Sequence, residues 1–470
     1  MFFLFLSCQS SVSDPTLETL PELPTKREES MPSRGNETPL KEAVITLVGE
    51  VRGEIEPCGC PTLPFGGFER RNTFVESLPK THPIFQLDAG ELLLKGFSEQ
   101  SRSNVEDRAE LLLRLSSEVG VDAMTVGPTD ISALGIEKLL SFQEFPLISA
   151  SFTNPDGSSI FPPFVVLEKD DFRLGVIGLS ERPTDPRYRD SIQYIEPEDA
   201  VRKTQSQLPK NLDLVVALGS IDDEKAQNLS QKDLGLAAIL STRGSTYEQP
   251  YVPSMGTSLI IETPERGRYV QTMNLRINTH AQYALALTEL EPLWRDKITP
   301  SITMSANAKS KIAKEGRGRN IVYIELHPLN EAYDEQKKSR VGDSLEEYKK
   351  DVLKKAAQNA KKEPEDEDVG YASSSNCAGC HSREFARWTF TDHAQAWQSL
   401  ILKNEQKNPE CIPCHTTGFG EPGGLGELNT TNIRKYKSVQ CESCHGPLKG
   451  HPESKSVKSK PITPKSCTVC

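Results

Sequence analysis

The sequence has no run of about 18 or more apolar residues, which excludes a membrane-spanning helix. It also lacks a basic surplus, because 55 Lys+Arg stand against 66 Asp+Glu in 470 residues. Residues 371–470 hold 12 Lys+Arg and 8 Asp+Glu, which is typical of a solvated face and gives no sign of nucleic-acid binding. Methionine does not occur after Met304, so a thioether ligand within residues 371–470 is excluded.

Cysteine, in contrast, is concentrated in residues 371–470, which hold eight of the 11. Six of these form three Cys-x-x-Cys-His motifs, a pattern in which two thiols add to haem vinyl groups and the next residue, His, binds the iron. The motifs predict three haems c, attached at Cys377, Cys380, Cys411, Cys414, Cys441 and Cys444. The predicted proximal iron ligands are His381, His415 and His445.

Structural zinc and disulfide bonds are the alternative interpretations of these cysteines. Zinc ribbons usually separate their two pairs by about 15 to 20 residues, whereas 30 and 26 residues separate the pairs here. Neither alternative needs a His after each pair, so haem is the stronger interpretation. A further pair, Cys467 and Cys470, has the same spacing without a following His. It predicts either a fourth haem in a longer chain or a different role.

The residues around the motifs resemble the multihaem cytochromes of the hydroxylamine-oxidation tetrahaem type. The shared positions are Trp388, Thr391, His393, Ala394, Ala396, Pro409–Cys411, His415–Gly418, Val439–Pro447 and His451. The resemblance implies that His393 and His451 are distal iron ligands. We therefore expect electron transfer with redox protein partners, in a small helical and loop-rich module over residues 371–470.

Axial ligands are fewer than three haems require. Residues 371–470 contain five His, whereas three irons with two imidazoles each need six. Either residues beyond this sequence supply the missing ligand, or one haem is five-coordinate and open to a small nitrogen or sulfur compound. The second possibility makes a haem oxidoreductase the alternative function.

The N-terminal residues predict export. Cys8 follows an apolar stretch that ends in Ser7 and precedes a polar, proline-bearing segment over residues 9–42. This resembles a lipoprotein signal, with an ordinary export signal as the alternative, and its short apolar part indicates a start further upstream. Because haem c attachment also implies export, we expect a periplasmic or outer-surface protein with a lipid anchor on Cys8. Residues 1–8 then form a partial signal and residues 9–42 a flexible tether.

From residue 43 onwards, short apolar runs alternate with turns and amphipathic stretches. The early runs lack alternation, which predicts strands buried on both faces with helices such as 104–119 between them, and hence an α/β domain. The predicted strands are Ala43–Val48, Pro83–Leu87, Ala123–Val126, Pro146–Ala150, Arg173–Leu179, Leu212–Leu218, Leu236–Leu240, Leu259–Glu262, Val270–Ile277 and Ile321–Leu326.

Local motifs over residues 43–280 resemble the metallophosphoesterase domain of the 5′-nucleotidase type. The matching segments are Ala43–Gly49, Gly66–Arg71, Leu87–Glu91, Val121–Gly127, Pro146–Ala150 and Leu174–Leu179. The resemblance implies a β-sandwich flanked by helices and a two-metal hydrolase site held by Asp, His and Asn.

The metal-ligand positions of that family are mostly changed in this chain. Glu50-Val51-Arg52 stands where Asp-x-His is expected, and Gly127-Pro128-Thr129-Asp130 replaces the Gly-Asn-His turn. Gly219 or Ser220 and Thr242–Ser245 occupy positions where the family has later histidines, and His82, His280 and His327 stand elsewhere. Glu50, Asp88, Glu91 and Asp130 remain as oxygen ligands for calcium or magnesium. We therefore expect a degenerate scaffold that binds a partner or ligand, with metal-dependent phosphohydrolysis as a disfavoured alternative.

Cys58 and Cys60 lie in the loop after the first predicted strand, where ligand-binding loops of α/β sheets gather. They predict either a disulfide or free thiols, or a redox or soft-metal site that passes electrons to the haems. Residues 281–370 are expected to connect the two domains through a helix at about 344–361 and a charged linker. Ser344 and Glu347 form the predicted capping box of that helix.

Overall fold

The computed structural model describes residues 40–60, 63–94, 102–242, 258–277, 291–294, 300–303, 320–334, 338–362, 370–453 and 457–462. Cys8, His280, Cys467 and Cys470 lie outside the described residues, so the predictions on them stay predictions. Within the described ranges, no helix has the length and apolar character needed to cross a membrane.

The strands of the described chain lie between Lys41 and Pro328. They are β1 (Lys41–Val48), β2 (Cys58–Cys60), β3 (Leu63–Phe65), β4 (Ile84–Asp88), β5 (Ala123–Thr125), β6 (Leu147–Ile148), β7 (Phe152–Thr153), β8 (Phe164–Lys169), β9 (Phe172–Ser180), β10 (Gln193–Tyr194), β11 (Leu214–Ser220), β12 (Ala238–Thr242), β13 (Leu259–Thr263), β14 (Tyr269–Ile277), β15 (Glu291–Trp294), β16 (Pro300–Thr303) and β17 (Ile321–Pro328).

Longer helices pack on the sheets and short ones form the C-terminal region. They are α1 (Phe68–Ser77), α2 (Arg102–Val119), α3 (Pro128–Leu134), α4 (Ile136–Ser141), α5 (Pro197–Gln205), α6 (Asp223–Ser230), α7 (Arg340–Ala360), α8 (Ser374–Cys377), α9 (Ser382–Trp388), α10 (Asp392–Leu402), α11 (Ile412–His415), α12 (Thr430–Tyr436) and α13 (Cys441–His445).

Two mixed sheets form the centre of the N-terminal domain. The larger has the order β15-β16-β17-β14-β1-β4-β5-β6, with β1 antiparallel to β14 and parallel to β4. The smaller has the order β13-β12-β11-β9-β8, in which β9, β11, β12 and β13 are parallel and β8 is antiparallel to β9. The larger sheet includes β15 to β17, so it extends past residue 280 into the region that was expected to connect the domains.

The apolar residues of these strands divide between the two faces of each sheet. In β9, Leu174 and Val176 lie in the core between the sheets, whereas Ile177 and Leu179 face the helices α5 and α6. The other face of the larger sheet is covered by α1 to α4 and α7, through residues such as Leu112. Because alternate residues of a strand point to opposite faces, both faces of each sheet are buried. The result is a four-layer α/β/β/α arrangement, and the predicted β-sandwich flanked by helices is confirmed.

Helix α7 begins four residues earlier than the predicted capping box. The hydroxyl of Ser339 accepts a hydrogen bond from the Gly342 N–H at 3.0 Å and caps the helix. Ser344 lies inside the helix and donates to a carboxylate oxygen of Glu118 at 2.8 Å, so the Ser344 and Glu347 capping box is wrong. One face of the helix is apolar and buried, with Leu345, Tyr348 and Ala356 buried and Val352 packed beside them.

The C-terminal region has little apolar core of its own. Its described residues from 370 onwards form short helices joined by turns, and a small core of five buried apolar residues lies among them. These are Trp397, Leu400, Ile412, Leu425 and Tyr436. Several large apolar side chains of this region face outwards, including Phe390, which is 91% exposed, and Leu402, which is 79% exposed. The region therefore relies on interactions other than its own apolar core.

Candidate functional site

The histidine of the first motif lies parallel to a second histidine from a distant part of the chain. His381 follows α8 and its ring lies opposite the ring of His451, 70 residues later, with 6.5 Å between ring centres and 23° between ring planes. Both side chains are exposed. The structure therefore pairs one predicted proximal ligand with one predicted distal ligand.

The gap between these rings fits a haem iron. An imidazole nitrogen binds a transition metal at about 2 Å, and the ring centre lies about 1.1 Å further away, so two rings on one iron have centres about 6.3 Å apart. The separation of 6.5 Å between the His381 and His451 rings agrees with this value. The spacing of the two rings therefore meets the distance requirement for two imidazole ligands on one iron.

The second motif holds its histidine in the orientation that iron binding requires. His415 ends α11, and its Nδ1 lies 2.6 Å from the carbonyl oxygen of Ala396 and 3.2 Å from the hydroxyl of Ser399. Because a carbonyl oxygen can only accept, Nδ1 carries the proton and donates it. The Nε2 atom of His415 is then left with a lone pair for iron, which is the usual arrangement of metal-binding histidines.

The third motif is anchored by a buried carboxylate at one of its variable positions. Glu442, which is 2% exposed, accepts hydrogen bonds from the backbone N–H groups of Ala372, Ser373 and Leu448 at 2.8 to 2.9 Å. Just before the motif, the side-chain oxygen of Gln440 accepts from the Ser374 N–H at 2.6 Å. These bonds fix the third motif against the segment that leads into the first.

The thiols of the first and third motifs lie next to each other. The Cys377 Sγ is within hydrogen-bonding range of Cys441, and burial together with that neighbour raises the pKa of Cys377 to about 11. Burial also raises the pKa of Cys411, in the second motif, to about 12. The predicted attachment points of haems on the first and third motifs are therefore neighbours.

The contacts of His393 and His445 give less information about iron binding than those of His381 and His415. His393 lies in the first turn of α10, and its carbonyl oxygen accepts from the Val439 N–H at 3.1 Å, close to the third motif. The Nδ1 of His445 is buried without a hydrogen-bond partner. In the described part of the chain, neither the His393 ring nor the His445 ring lies opposite a second imidazole ring as the His381 ring does. The role of His393 as a distal ligand stays a prediction.

The aromatic residues that surround the motifs differ in their environment. Trp388 donates from Nε1 to the Val439 carbonyl oxygen at 2.8 Å, and Trp397 lies in the small core. Phe419 packs against that core, whereas Phe390 is almost fully exposed. A chain region with exposed aromatic rings and a small core is consistent with porphyrins that supply much of its apolar contact.

A second cluster of polar residues lies where β1, β4 and β5 end. Arg52 forms an ion pair with Glu50, and Arg71 Nη1 lies 3.4 Å from Asp88 Oδ2, both Arg71 and Asp88 being buried. The Ser220 hydroxyl donates to Glu91 Oε1 at 2.8 Å, and the Thr129 hydroxyl donates to the other oxygen. Burial raises the pKa of Asp88 and of Glu91. Glu50, Asp88 and Glu91 were predicted as ligands for a metal cation. In the structure these carboxylates instead bind arginine side chains and hydroxyl groups of the chain itself.

Asp130 is fully engaged by the backbone. Its two carboxylate oxygens accept from four N–H groups, those of Glu91, Leu92, Leu93 and Gly127, at 2.8 to 3.1 Å. Burial and the nearby charge of Glu91 raise the pKa of Asp130 to about 8, against the effect of these donors. No group of three or more His, Cys, Asp or Glu in the described ranges is arranged to hold a metal ion.

Cys58 and Cys60 are described through their backbone alone. Strand β2 pairs antiparallel with β3, with Cys58 opposite Phe65 and Cys60 opposite Leu63. The alternatives of disulfide, free thiols and redox site for this pair stay predictions.

The segment before the second haem motif contacts the loop that follows β1. Arg108 of α2 forms an ion pair with Glu410 and donates to the Gly53 carbonyl oxygen at 2.8 Å, and the Arg108 and Glu410 side chains are 26% and 14% exposed. Asn408 donates to Glu56, which also pairs with Lys349 of α7. The second motif is thus held against the edge of the larger sheet where the carboxylate cluster lies.

Sequence reasoning missed this contact and the anchoring role of Glu442. The available signals were weak: Glu410 directly precedes Cys411, and Glu442 is an acidic residue inside a motif whose middle positions are free to vary. Arg108 gave no signal, since a charged residue on a helix is usually solvated.

Known proteins of two different kinds are similar to this chain. Residues 376–446 match the family model described as "Cytochrome c554 and c-prime". Cytochrome c-554 of Nitrosomonas europaea is 32% identical over 95 residues, covering 17% of this chain and 40% of that protein. The 5′-nucleotidase of Vibrio cholerae is 24% identical over 200 residues, covering 34% of this chain and 36% of that protein. The chain thus spans less than half the length of these curated relatives.

Two solved structures are similar to this chain at low sequence identity. The 5′-nucleotidase precursor of Thermus thermophilus has a TM-score of 0.48 at 15% identity and covers 68% of this chain and 61% of that chain. The calcineurin-like phosphoesterase YfkN of Bacillus subtilis has a TM-score of 0.46 at 13% identity, with coverages of 67% and 98%.

The C-terminal region is therefore a c-type cytochrome domain, which implies haem c as its cofactor. More specifically, the chain joins a C-terminal cytochrome c554 domain to an N-terminal 5′-nucleotidase-like domain.

Proposed function

We propose that this protein is an exported multihaem cytochrome that carries electrons between redox protein partners. The observation that carries the proposal is the parallel pair of His381 and His451 rings, 6.5 Å apart, which fits a haem with both axial positions filled. A haem with two imidazole ligands has no open position for a substrate, so its role is to accept and release electrons. Export, a lipid anchor on Cys8 and a periplasmic or outer-surface location form part of the same proposal.

Mass spectrometry of the intact mature protein tests the number of haems. We expect the mass to exceed that of the polypeptide by three haems for a chain ending at Cys470, because the motifs at Cys377, Cys411 and Cys441 are complete. A Cys411→Ser/Cys414→Ser variant serves as the control and is expected to lose one haem. A mass that fits no covalently attached haem after expression with the haem c maturation system would contradict the proposal.

An oxidoreductase is the second candidate function. His415 is oriented to bind iron through Nε2, yet in the described chain the His–His ring pair is that of His381 and His451, which does not include His415. An iron at this motif with an open position could bind and turn over a small nitrogen or sulfur compound. Carbon monoxide binding to the reduced protein separates the two functions, because a cytochrome whose irons are all six-coordinate does not bind it.

For the N-terminal domain we propose a binding role for a partner or small ligand, without phosphohydrolysis. The carboxylates at the end of the strands are engaged by Arg52, Arg71, Ser220 and backbone N–H groups, whereas a two-metal site needs a bridging carboxylate and several further ligands about the ions.

Phosphate release from AMP provides the test of this role. We expect no release above a protein-free control with magnesium, manganese or calcium, because Arg71 already neutralises the buried Asp88 carboxylate. Metal-dependent release that disappears in an Asp88→Asn variant, while the far-ultraviolet circular dichroism is unchanged, would show the proposal to be wrong. The same variant with intact haem spectra would exclude damage to the cytochrome domain as the cause.

A further inference from the structure

The second haem motif is tied to the 5′-nucleotidase-like domain by a largely buried ion pair. Glu410 directly precedes Cys411, and its carboxylate pairs with the guanidinium group of Arg108 on α2. Arg108 is fixed in turn, because its Nη1 donates a hydrogen bond to the Gly53 carbonyl oxygen at 2.8 Å. The positive charge that compensates Glu410 therefore comes from the other domain of the chain.

Asn408 fixes the backbone of the same segment and forms a second contact with the other domain. Its carbonyl oxygen accepts hydrogen bonds from the N–H groups of Cys411 and Ile412, both at 3.1 Å. Its side-chain oxygen accepts from the Glu410 N–H at 3.0 Å, and its side-chain amide donates to the carboxylate of Glu56. The start of the second motif is thus held in a defined position relative to the 5′-nucleotidase-like domain.

These contacts place several carboxylates near the predicted attachment point of the second haem. The Cys411 thiol has a raised pKa, first because it is partly buried and then because of three carboxylates, those of Glu405, Glu56 and Glu410. Lys349 acts on this thiol in the opposite direction. Since the Cys411 sulfur becomes part of the haem linkage, the same charges act on a haem attached there. When its ferric iron takes up one electron from a donor, the site gains one negative charge, which an uncompensated carboxylate opposes.

We infer that Arg108 is a positioning residue of the second haem site, which holds Glu410 in place and compensates its charge. The ion pair thereby sets the reduction potential of the haem attached at Cys411. The 5′-nucleotidase-like domain then has a function that needs neither a bound metal nor a bound ligand, namely to supply this compensating charge. The inference rests on the haem attachment proposed above and adds to it the control of one haem by the other domain.

Spectropotentiometric titration of the haem-loaded full chain at one fixed pH tests the role of the ion pair. Glu410→Gln leaves Arg108 without the carboxylate it pairs with, and a guanidinium group stays protonated. The equilibrium constant for reducing one haem is therefore expected to rise by about threefold to tenfold. Tenfold corresponds to about 59 mV for a one-electron couple. The double variant Arg108→Gln/Glu410→Gln carries neither charge and is expected to return close to the parental constant.

Two comparisons make the result specific to the second haem. Glu427→Gln is the matched control, because it removes the carboxylate of an exposed ion pair with Lys361, and solvent screens such charges. It is expected to leave all potentials unchanged. Glu410→Gln is also introduced into the Cys411→Ser/Cys414→Ser protein, which lacks the second haem, and there the remaining potentials are expected not to move. A shift that persists without the second haem would overturn the inference.

Equal potentials in Glu410→Gln and Glu427→Gln would also contradict the inference, as would an equal shift in Glu410→Gln and the double variant, which loosened packing produces and charge does not. If the Glu410→Gln protein does not fold, Glu56→Gln replaces it. This variant leaves Lys349 without the carboxylate it pairs with and is expected to raise the potential of the same haem.

The intact mass separates this inference from the proposed function. A mass without attached haem contradicts the haem attachment itself. A mass with three haems together with unchanged potentials in Glu410→Gln contradicts only the role of Arg108 and Glu410.

Discussion

A His451→Ala variant is expected to contain one more high-spin haem than the parent protein. The ring of His451 lies 6.5 Å from that of His381, a distance that suits a second axial ligand, and alanine supplies no donor atom to replace it. An iron with one axial ligand becomes five-coordinate, and it gains an open position that carbon monoxide can bind after reduction. The number of carbon monoxide molecules bound per chain is therefore expected to rise by one.

Two further variants make this prediction specific to iron ligation. His451→Met is expected to restore a six-coordinate haem and to raise its reduction potential, because thioether ligation favours the reduced iron. His82→Ala removes a half-exposed histidine of the 5′-nucleotidase-like domain, where its ring contacts Glu42. This substitution is expected to leave the haem spectra unchanged. Equal carbon monoxide binding by the parent and His451→Ala proteins would exclude His451 as an axial ligand.

Replacing Asp130 by alanine is expected to have the largest effect on the stability of the 5′-nucleotidase-like domain. The carboxylate accepts from four backbone N–H groups and joins the loop after β4 to the start of α3. Each buried donor left without a partner costs about 1–3 kcal/mol, and water that enters the space recovers part of this. Burial of this carboxylate, which raises its pKa to about 8, offsets part of the loss, and we therefore expect Asp130→Ala to lower the free energy of unfolding of this domain by about 2–4 kcal/mol.

Urea denaturation followed by far-ultraviolet circular dichroism measures this loss, while the haem absorbance follows the cytochrome domain separately. Asp156→Ala is the matched control, since its exposed carboxylate accepts from the N–H and hydroxyl of its neighbour Ser158 and its removal is expected to leave the urea midpoint nearly unchanged. If the Asp130→Ala protein fails to fold, Asp130→Asn retains one oxygen acceptor and is expected to show a smaller loss in the same direction. Equal midpoints for Asp130→Ala and Asp156→Ala would contradict the assigned role of Asp130.

The contact between the two domains places the second haem motif close to the carboxylate cluster of the other domain. Glu410 directly precedes Cys411, and burial raises the pKa of this glutamate even though Arg108 pairs with it. The partner residues Gly53 and Glu56 lie in the loop that begins with the Glu50 and Arg52 pair. A ligand or protein bound at that edge of the larger sheet is therefore separated from the second haem motif by one loop.

The sequence alone determined the chemistry of the cytochrome domain, because haem attachment depends on residues that are neighbours along the chain. The spacing in Cys377–His381 and its two repeats is enough to place two thiols and one imidazole on the same porphyrin. The sandwich fold was also predictable, since continuous apolar runs such as Ala43–Val48 indicate strands buried on both faces. The start of α7 was not, because Ser339 and Ser344 are both acceptable capping residues and tertiary contacts of Ser344 decide between them.

Only the tertiary structure decided which distant residues meet. His451 and His393 were equal candidates in the sequence, and the bonds from Glu442 and Gln440 to the entry of the first motif bring the following His451 opposite His381. In the other domain, Asp88 was a candidate cation ligand until Arg71 was found beside it. Covalent attachment of haem depends on spacing over five residues, whereas axial pairing and charge neutralisation depend on distances of a few ångströms between residues far apart in the chain.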